Sequence, residues 1–223
     1  MRPARAFLFD VDSTLIQTGG AGRRALNVAL STLGAGQDAL AQVRLHGRTD
    51  RSIVHEVLQR HLLEAAWEAM IEDYLVALHG EVTSTSDYQV LPGVQALLER
   101  LRDRGAFLGL ATGNVRRGAH IKLTRGGLLS YFSFGGFGDR HEARADLVRE
   151  ARAHAERLAG RALARDEVVV IGDSELDVHA AHAADCGAVG VATGQTSLAE
   201  LRAAGAEWVY EDLAGALTTP PFG

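Results

Sequence analysis

The chain has 223 residues, 47% of them hydrophobic, with 23 basic and 28 acidic side chains and a formal net charge of -5. That is enough for one large domain, or one domain with a smaller insert, and the well-mixed charge has no basic stretch of the kind that binds nucleic acid. No apolar run approaches the roughly 18 residues that cross a bilayer, residues 1–9 lack the pattern of a secretory leader, and the single cysteine, Cys186, has no internal partner. The expectation is a soluble, cytoplasmic protein with neither membrane nor nucleic-acid partner, in which Cys186 is a buried filler.

In chain order, residues 6–9 form a short apolar run that stops at Asp10. From about Gly19 to Val82 the pattern is helical instead. Residues 23–33, 49–61 and 63–78 are predicted helices with no strand between them, and Trp67 and Tyr74 share one face of the third. Gly19, Gly20 and Gly22 suit a flexible link into this block, and the polar run 83–87 suits the link back. Residues 19–83 are therefore expected to be a helical domain inserted into a core made of 1–18 and 84–223.

Beyond the insert, strands and helices alternate. A helix is predicted over 92–104, with Leu97, Leu98 and Leu101 on one face, Pro92 near its start and Gly105 just past its end. Strand 107–111 ends at Thr112, and helix 145–158 follows. Strand 168–171 ends at Gly172 and Asp173, and helix 176–184 comes next. Strand 188–192, helix 197–204 and a weaker strand, 208–210, complete the series, with 220–223 expected to be a loose tail. Short apolar runs followed directly by polar residues suit buried parallel strands. The alternation predicts a Rossmann-like α/β sheet with helices on both faces, binding its ligands outside the carboxyl ends of the strands.

Three stretches at such ends carry chemistry. In Phe7-Leu-Phe-Asp10-Val-Asp12-Ser-Thr14, two carboxylates can aim at one small site. Asp10 can ligate a metal or attack phosphorus, and Asp12 can serve as acid or base. In Gly172-Asp173-Ser-Glu-Leu-Asp177, the second Asp falls in the first turn of a helix and can face the same site as the first. In Thr112-Gly113-Asn114, a hydroxyl and an exposed amide can grip phosphate oxygens. Taken singly, each also fits a polar turn or an ordinary helix cap.

Together, and in this order, the three stretches resemble the haloacid dehalogenase superfamily in its phosphatase branch, with its Asp-x-Asp-x-Thr, Thr/Ser and Gly-Asp-x-x-x-Asp motifs. The helical insert resembles the alpha-helical cap of phosphoglycolate-phosphatase-like members. Within it, His46-Gly47-Arg48-Thr49-Asp50 is similar to the cap segment turned toward substrate. The resemblance implies a magnesium-dependent phosphatase acting on a small phosphorylated metabolite, either phosphoglycolate-like or a sugar phosphate. Asp10 would be nucleophile and metal ligand, and Asp12 acid/base and ligand through its carbonyl. Asp173 and Asp177 would complete the Mg2+ set, Thr112, Gly113 and Asn114 would hold phosphate, and Arg48 would meet the substrate. A phosphomutase of the beta-phosphoglucomutase type, or a non-catalytic phosphate-ester-binding protein, remains open on the same fold. The chain departs from the family at the basic residue, usually Lys, that precedes the last motif: no lysine follows Lys122. Arg144 is the best match, with Arg140 and Lys122 as competitors. Ser13 stands where many relatives carry Gly, with little effect expected. His179 and His182, three apart on a helix, read as solvated residues more readily than as a metal pair.

Overall fold

A computed structural model describes residues 5–64 and 67–223. In chain order its elements are β1 (Ala6–Phe9), β2 (Ile16–Thr18), α1 (Ala21–Thr32), α2 (Asp50–Arg60), α3 (Trp67–Ser84), β3 (Tyr88–Val90), α4 (Val94–Asp103), β4 (Phe107–Thr112), α5 (Arg116–Arg125), β5 (Phe134–Phe137), α6 (Arg144–Ala159), β6 (Val168–Gly172), α7 (Glu175–Ala183), β7 (Gly187–Val191), α8 (Leu198–Ala203), β8 (Trp208–Tyr210) and α9 (Leu213–Ala216). Six strands form one sheet in the order β5-β4-β1-β6-β7-β8, every neighbouring pair parallel. No helix among the described residues is long and apolar enough to cross a membrane.

The period of two along a strand divides the core between the two faces of the sheet. Phe7, Phe9, Leu108, Leu110, Val169 and Ile171 pack with Leu97, Leu98 and Leu101 of α4. Ala6, Leu8, Val168 and Val170 pack with Leu147, Val148 and Ala151 of α6 and with Val178 of α7. Burial on both faces is why these strands read as unbroken apolar runs. Helices α1 to α3 gather a separate cluster around Leu26, Leu30, Val54, Met70, Tyr74 and Leu78, which also takes in Val115 just ahead of α5. Cys186 is fully buried, as expected of a filler.

Several expectations need correction. Three strands escape the sequence pattern. β2 and β3 have only three residues each and pair with one another, antiparallel. β5 reads Phe-Gly-Gly-Phe, too poor in β-formers to stand out. Its glycines are there for close approach: a Cβ on Gly136 would lie 1.8 Å from the Leu147 carbonyl oxygen of α6. Gly22 belongs to α1 rather than to the link, where Gly19 and Gly20 turn the chain at φ +54 and +82. The third helix of the insert begins at Trp67 and runs on to Ser84, so the return link is shorter than the polar run suggested; residues 65–66 of the expected helix lie outside the described residues. The tail is not loose. Phe222 is fully buried, its ring centroid 5.5 Å from that of Phe7, and Arg5 and Arg104 donate to the carbonyls of Pro221 and Phe222 at 3.0 and 2.6 Å.

Candidate active site

The sheet changes winding direction at β1, with β4 on one side and β6 on the other, and such a switch point opens a crevice at the carboxyl ends. Asp10 follows β1, Thr112 ends β4, and Asp173 follows β6. Asp177 joins them from the first turn of α7, where Ser174 caps the helix. Its Oδ2 accepts from Ser174 N at 3.1 Å and from Ser174 Oγ at 2.6 Å. This reciprocal cap fixes the carboxylate through Oδ2 alone. Asp10, Asp173 and Asp177 are all buried, and one oxygen from each lies within 4.8 Å of the others. Gly172 and Gly194 admit them: a Cβ on either would fall 2.2 Å from Asp177 Cγ or 1.7 Å from Asp173 Oδ2.

Arg144, the first residue of α6, reaches into the same cluster. Its Nη2 lies 2.8 Å from Asp10 Oδ1 and 2.5 Å from Asp177 Oδ1, and Nη1 donates to the Gly47 carbonyl at 3.0 Å. Both carboxylate approaches are close charge contacts. Arg144 Nε and Nη2, Asp173 Oδ2 and Asp177 Oδ1 are all buried without a hydrogen-bond partner. Burial pushes the Asp10 carboxyl up from 3.8 to about 6; Arg144 opposes the shift, and Asp177 and Asp12 add to it. Asp173 is pushed well up by burial and then by Asp177 and Asp10. Burial works against the Arg144 charge, but Asp177 and Asp10 outweigh it and raise its pKa. Three crowded carboxylates, two of them with an orphaned oxygen, fit a hard divalent cation, which takes oxygen ligands and would relieve their repulsion. The orphaned guanidinium N–H groups fit phosphate oxygens.

A second charged cluster lies beside the first. Lys122 of α5 donates to Asp12 Oδ2 and to Asn114 Oδ1, both at 2.6 Å, while Asn114 Nδ2 donates to Asp12 Oδ2 and Thr112 Oγ1, both at 2.8 Å. Thr112 is fully buried and its hydroxyl is held inside this loop. Both named competitors for the basic position can now be placed: Lys122 is here, and Arg140 is exposed. Ser13 takes φ +58, a left-handed conformation that glycine adopts without strain, and its N–H is spent on the Ile16 carbonyl at 2.8 Å.

The helical insert closes over both clusters. A cavity of about 410 Å³ lies between them, lined by Asp10, Asp12, Arg23, Arg48, Lys122 and Arg144 among others. The segment 46–51 is stitched to the core. Asp50 N donates to the Gly113 carbonyl at 2.8 Å, and Asp50 Oδ2 accepts from Val115 N at 2.9 Å. Thr49 Oγ1 donates to the Glu142 carbonyl at 3.0 Å, and Arg51 to that of Asp139 at 2.9 Å. His46 Nδ1 is 3.7 Å from Asp173 Oδ2, and its Nε2 is 3.0 Å from Thr196 Oγ1. Burial raises the Asp50 carboxyl to about 6 against the pull of Lys122 and the Val115 amide, and burial lowers His46. Arg48 lines the cavity, but its guanidinium is tied to Glu56 and to the Ser52 carbonyl at 2.9 Å. His182 pairs with Glu207 at 3.3 Å while His179 is exposed, so the two do not converge. Asp50 and His46 were legible as part of the cap segment but not as the residues that dock it. Nothing in the pattern singled out the Lys122–Asp12 pair.

Residues 7–191 match a family model described as haloacid dehalogenase-like hydrolase. The chain is 30% identical over 186 residues to a phosphoglycolate phosphatase of Rhodobacter capsulatus, covering 80% of each. It is 29% identical to one of Xanthomonas campestris pv. campestris, covering 82% of this chain and 81% of the other. Among solved structures, CbbY from Rhodobacter sphaeroides in complex with phosphate superposes with a TM-score of 0.71 at 19% identity over 95% of both chains. A hydrolase from Pseudomonas syringae superposes at 0.70 with 24% identity, over 96% and 97%. These last two likenesses are of fold.

Proposed function

The chain belongs to the haloacid dehalogenase-like hydrolases, and from that premise we infer that it is a magnesium-dependent phosphatase that releases phosphate from a small phosphorylated metabolite through a phospho-Asp10 intermediate. The observation that carries the reading is the buried trio Asp10, Asp173 and Asp177, with orphaned oxygens on Asp173 and Asp177, and Arg144 laid against it. Asp10, Asp173 and the Asp12 carbonyl would hold the magnesium ion, with Asp177 behind them; when bound, it would supply the positive charge that lets an anionic carboxylate meet a phosphate dianion.

The chain's own groups do the rest. Asp10 attacks phosphorus in line, and the new O–P bond forms as the bond to the leaving oxygen breaks. Asp12 gives that oxygen a proton. Water then attacks the phospho-Asp10 phosphorus, Asp12 takes the water's proton back, and phosphate leaves with Asp10 restored. Arg144 and the 112–114 loop hold the equatorial oxygens where charge spreads. The docked insert excludes bulk water. Phosphoglycolate is the first substrate to try, since the curated relatives named above carry that activity in their names.

The test is phosphate release from a panel holding phosphoglycolate and several sugar phosphates, with magnesium and with chelator. Release that needs magnesium is expected. Sugar phosphates rearranged without release would point to a mutase, and tight binding with no turnover to a non-catalytic protein.

A further inference from the structure

The mechanism above uses one buried cation, Arg144, yet the site holds two. Lys122 sits on the inward face of α5, flanked by the buried Ala119 and Leu123, with its side chain only 4% exposed. A lysine buried without a partner costs several kcal/mol, so what it touches accounts for its presence. Its ammonium meets Asp12 Oδ2 and Asn114 Oδ1, both at 2.6 Å, and Asn114 closes the triangle by donating to the same Asp12 oxygen at 2.8 Å. The space over the ammonium is shaped by the insert: a Cβ on Gly22 would lie 3.2 Å from Nζ. The Lys122 carbonyl is itself held by the Tyr88 hydroxyl at 2.8 Å.

The two cations share no carboxylate. Arg144 contacts Asp10 and Asp177, and Lys122 contacts Asp12. Both donors to Asp12 take Oδ2, while the Asp12 side chain keeps 42% exposure and lines the cavity. We propose that Lys122 is a positioning residue for Asp12: with Asn114 it pins Oδ2, so that the other oxygen is presented first to the leaving oxygen and then to the attacking water. The assignment rests on the phosphatase reading, but it places a division of labour within it. Arg144 serves the nucleophile and the transferring group, and Lys122 serves proton transfer.

Leaving-group dependence separates these roles. 4-Nitrophenyl phosphate expels a stable anion and gains little from a proton, whereas an alkyl phosphate depends on one. Lys122→Met is expected to lower kcat/KM for an alkyl phosphate about 30- to 100-fold, a share of the roughly 10²–10⁴-fold that a positioned acid contributes. It is expected to lower that for 4-nitrophenyl phosphate less than about 5-fold by the same reasoning. Adding Lys122→Met to Asp12→Asn is expected to cost little more than Asp12→Asn alone, because the two act as a unit. Equal losses on both esters, or fully additive losses in the double variant, would overturn the proposal and put Lys122 on the phosphoryl group or in a purely structural role. Should the Met variant melt early, Lys122→Gln keeps a donor on a shorter stem and is expected to show the same selectivity; equal losses there overturn it too. A wild-type protein inert toward both esters strikes instead at the phosphatase reading beneath it.

Discussion

The sheet and the helical insert build the cavity in opposite ways. From the sheet and the helices that flank it come side chains: Asp10, Asp173, Asp177 and Arg144 are all buried and converge on one point. From the insert come docking contacts of both kinds: the Gly47 carbonyl accepts from Arg144 and Asp50 N donates to the Gly113 carbonyl, while the side chains of Thr49, Asp50 and Arg51 bond backbone groups of the core. Of the insert's arginines, Arg48 pairs with Glu56 and Arg23 donates to the Leu40 carbonyl at 2.8 Å within the insert, while Arg51 donates to the Asp139 carbonyl of the core at 2.9 Å. Chemistry is thus fixed where rigid strand ends position it. The insert closes the site through hydrogen bonds from its 47–51 segment to the core.

That contrast can be broken at several points. The largest effect is expected in the sheet: Asp10→Asn should lower turnover roughly 10³-fold or more, the scale of a lost nucleophile, measured as phosphate release at saturating magnesium. In the core beside Phe7, Phe222→Ala should cost about 3–5 kcal/mol of unfolding free energy in a denaturant titration, with kcat at 25 °C unchanged. At the seam between the two regions, Gly113→Ala would set a Cβ 2.1 Å from the Arg48 carbonyl oxygen. The insert must lift, and displacement on that scale should cost about 10²-fold in kcat/KM with an unaltered circular dichroism spectrum. In the chelated protein, Asp10 is raised from 3.8 to about 6 and Asp173 is raised as well. Stability from these groups is present below the unfolded value and is lost as pH rises through the folded one. Thermal melts with chelator should therefore show lower stability at pH 7.5 than at pH 5, by about 1–3 kcal/mol, and magnesium should restore it. The smallest effect is expected in the insert: Arg48→Gln should change kcat on an aryl phosphate by less than about tenfold, its guanidinium being engaged by Glu56 in a partly exposed ion pair.

Much of this is legible in the amino-acid sequence. β1 and β8 run as the apolar pattern set them, residues 6–9 and 208–210, and the four aspartates fall at strand or helix ends as their spacing implied. What stayed hidden depends on distance in the chain. β5 owes its place to α6 pressing on Gly136 and not to its own propensity. Phe222 is ordered by Phe7, which lies at the other end of the sequence. Lys122 is legible only as a competitor for the basic residue that Arg144 matches better, since only the fold brings Asp12 and Gly22 around it. The basic residue ahead of the last motif was legible as Arg144 only in outline, and the structure sets it beside Asp10 while Arg140 stays in solvent.

The central claim is a covalent bond between phosphorus and Asp10. Rapid acid quench of the magnesium-loaded enzyme with substrate, followed by peptide mass spectrometry, reads it directly. The account predicts one added phosphoryl group on the peptide that carries Asp10, reduced to homoserine by borohydride and missing in Asp10→Asn. A phosphoryl group on another residue, or none while phosphate is being released at full rate, would contradict it.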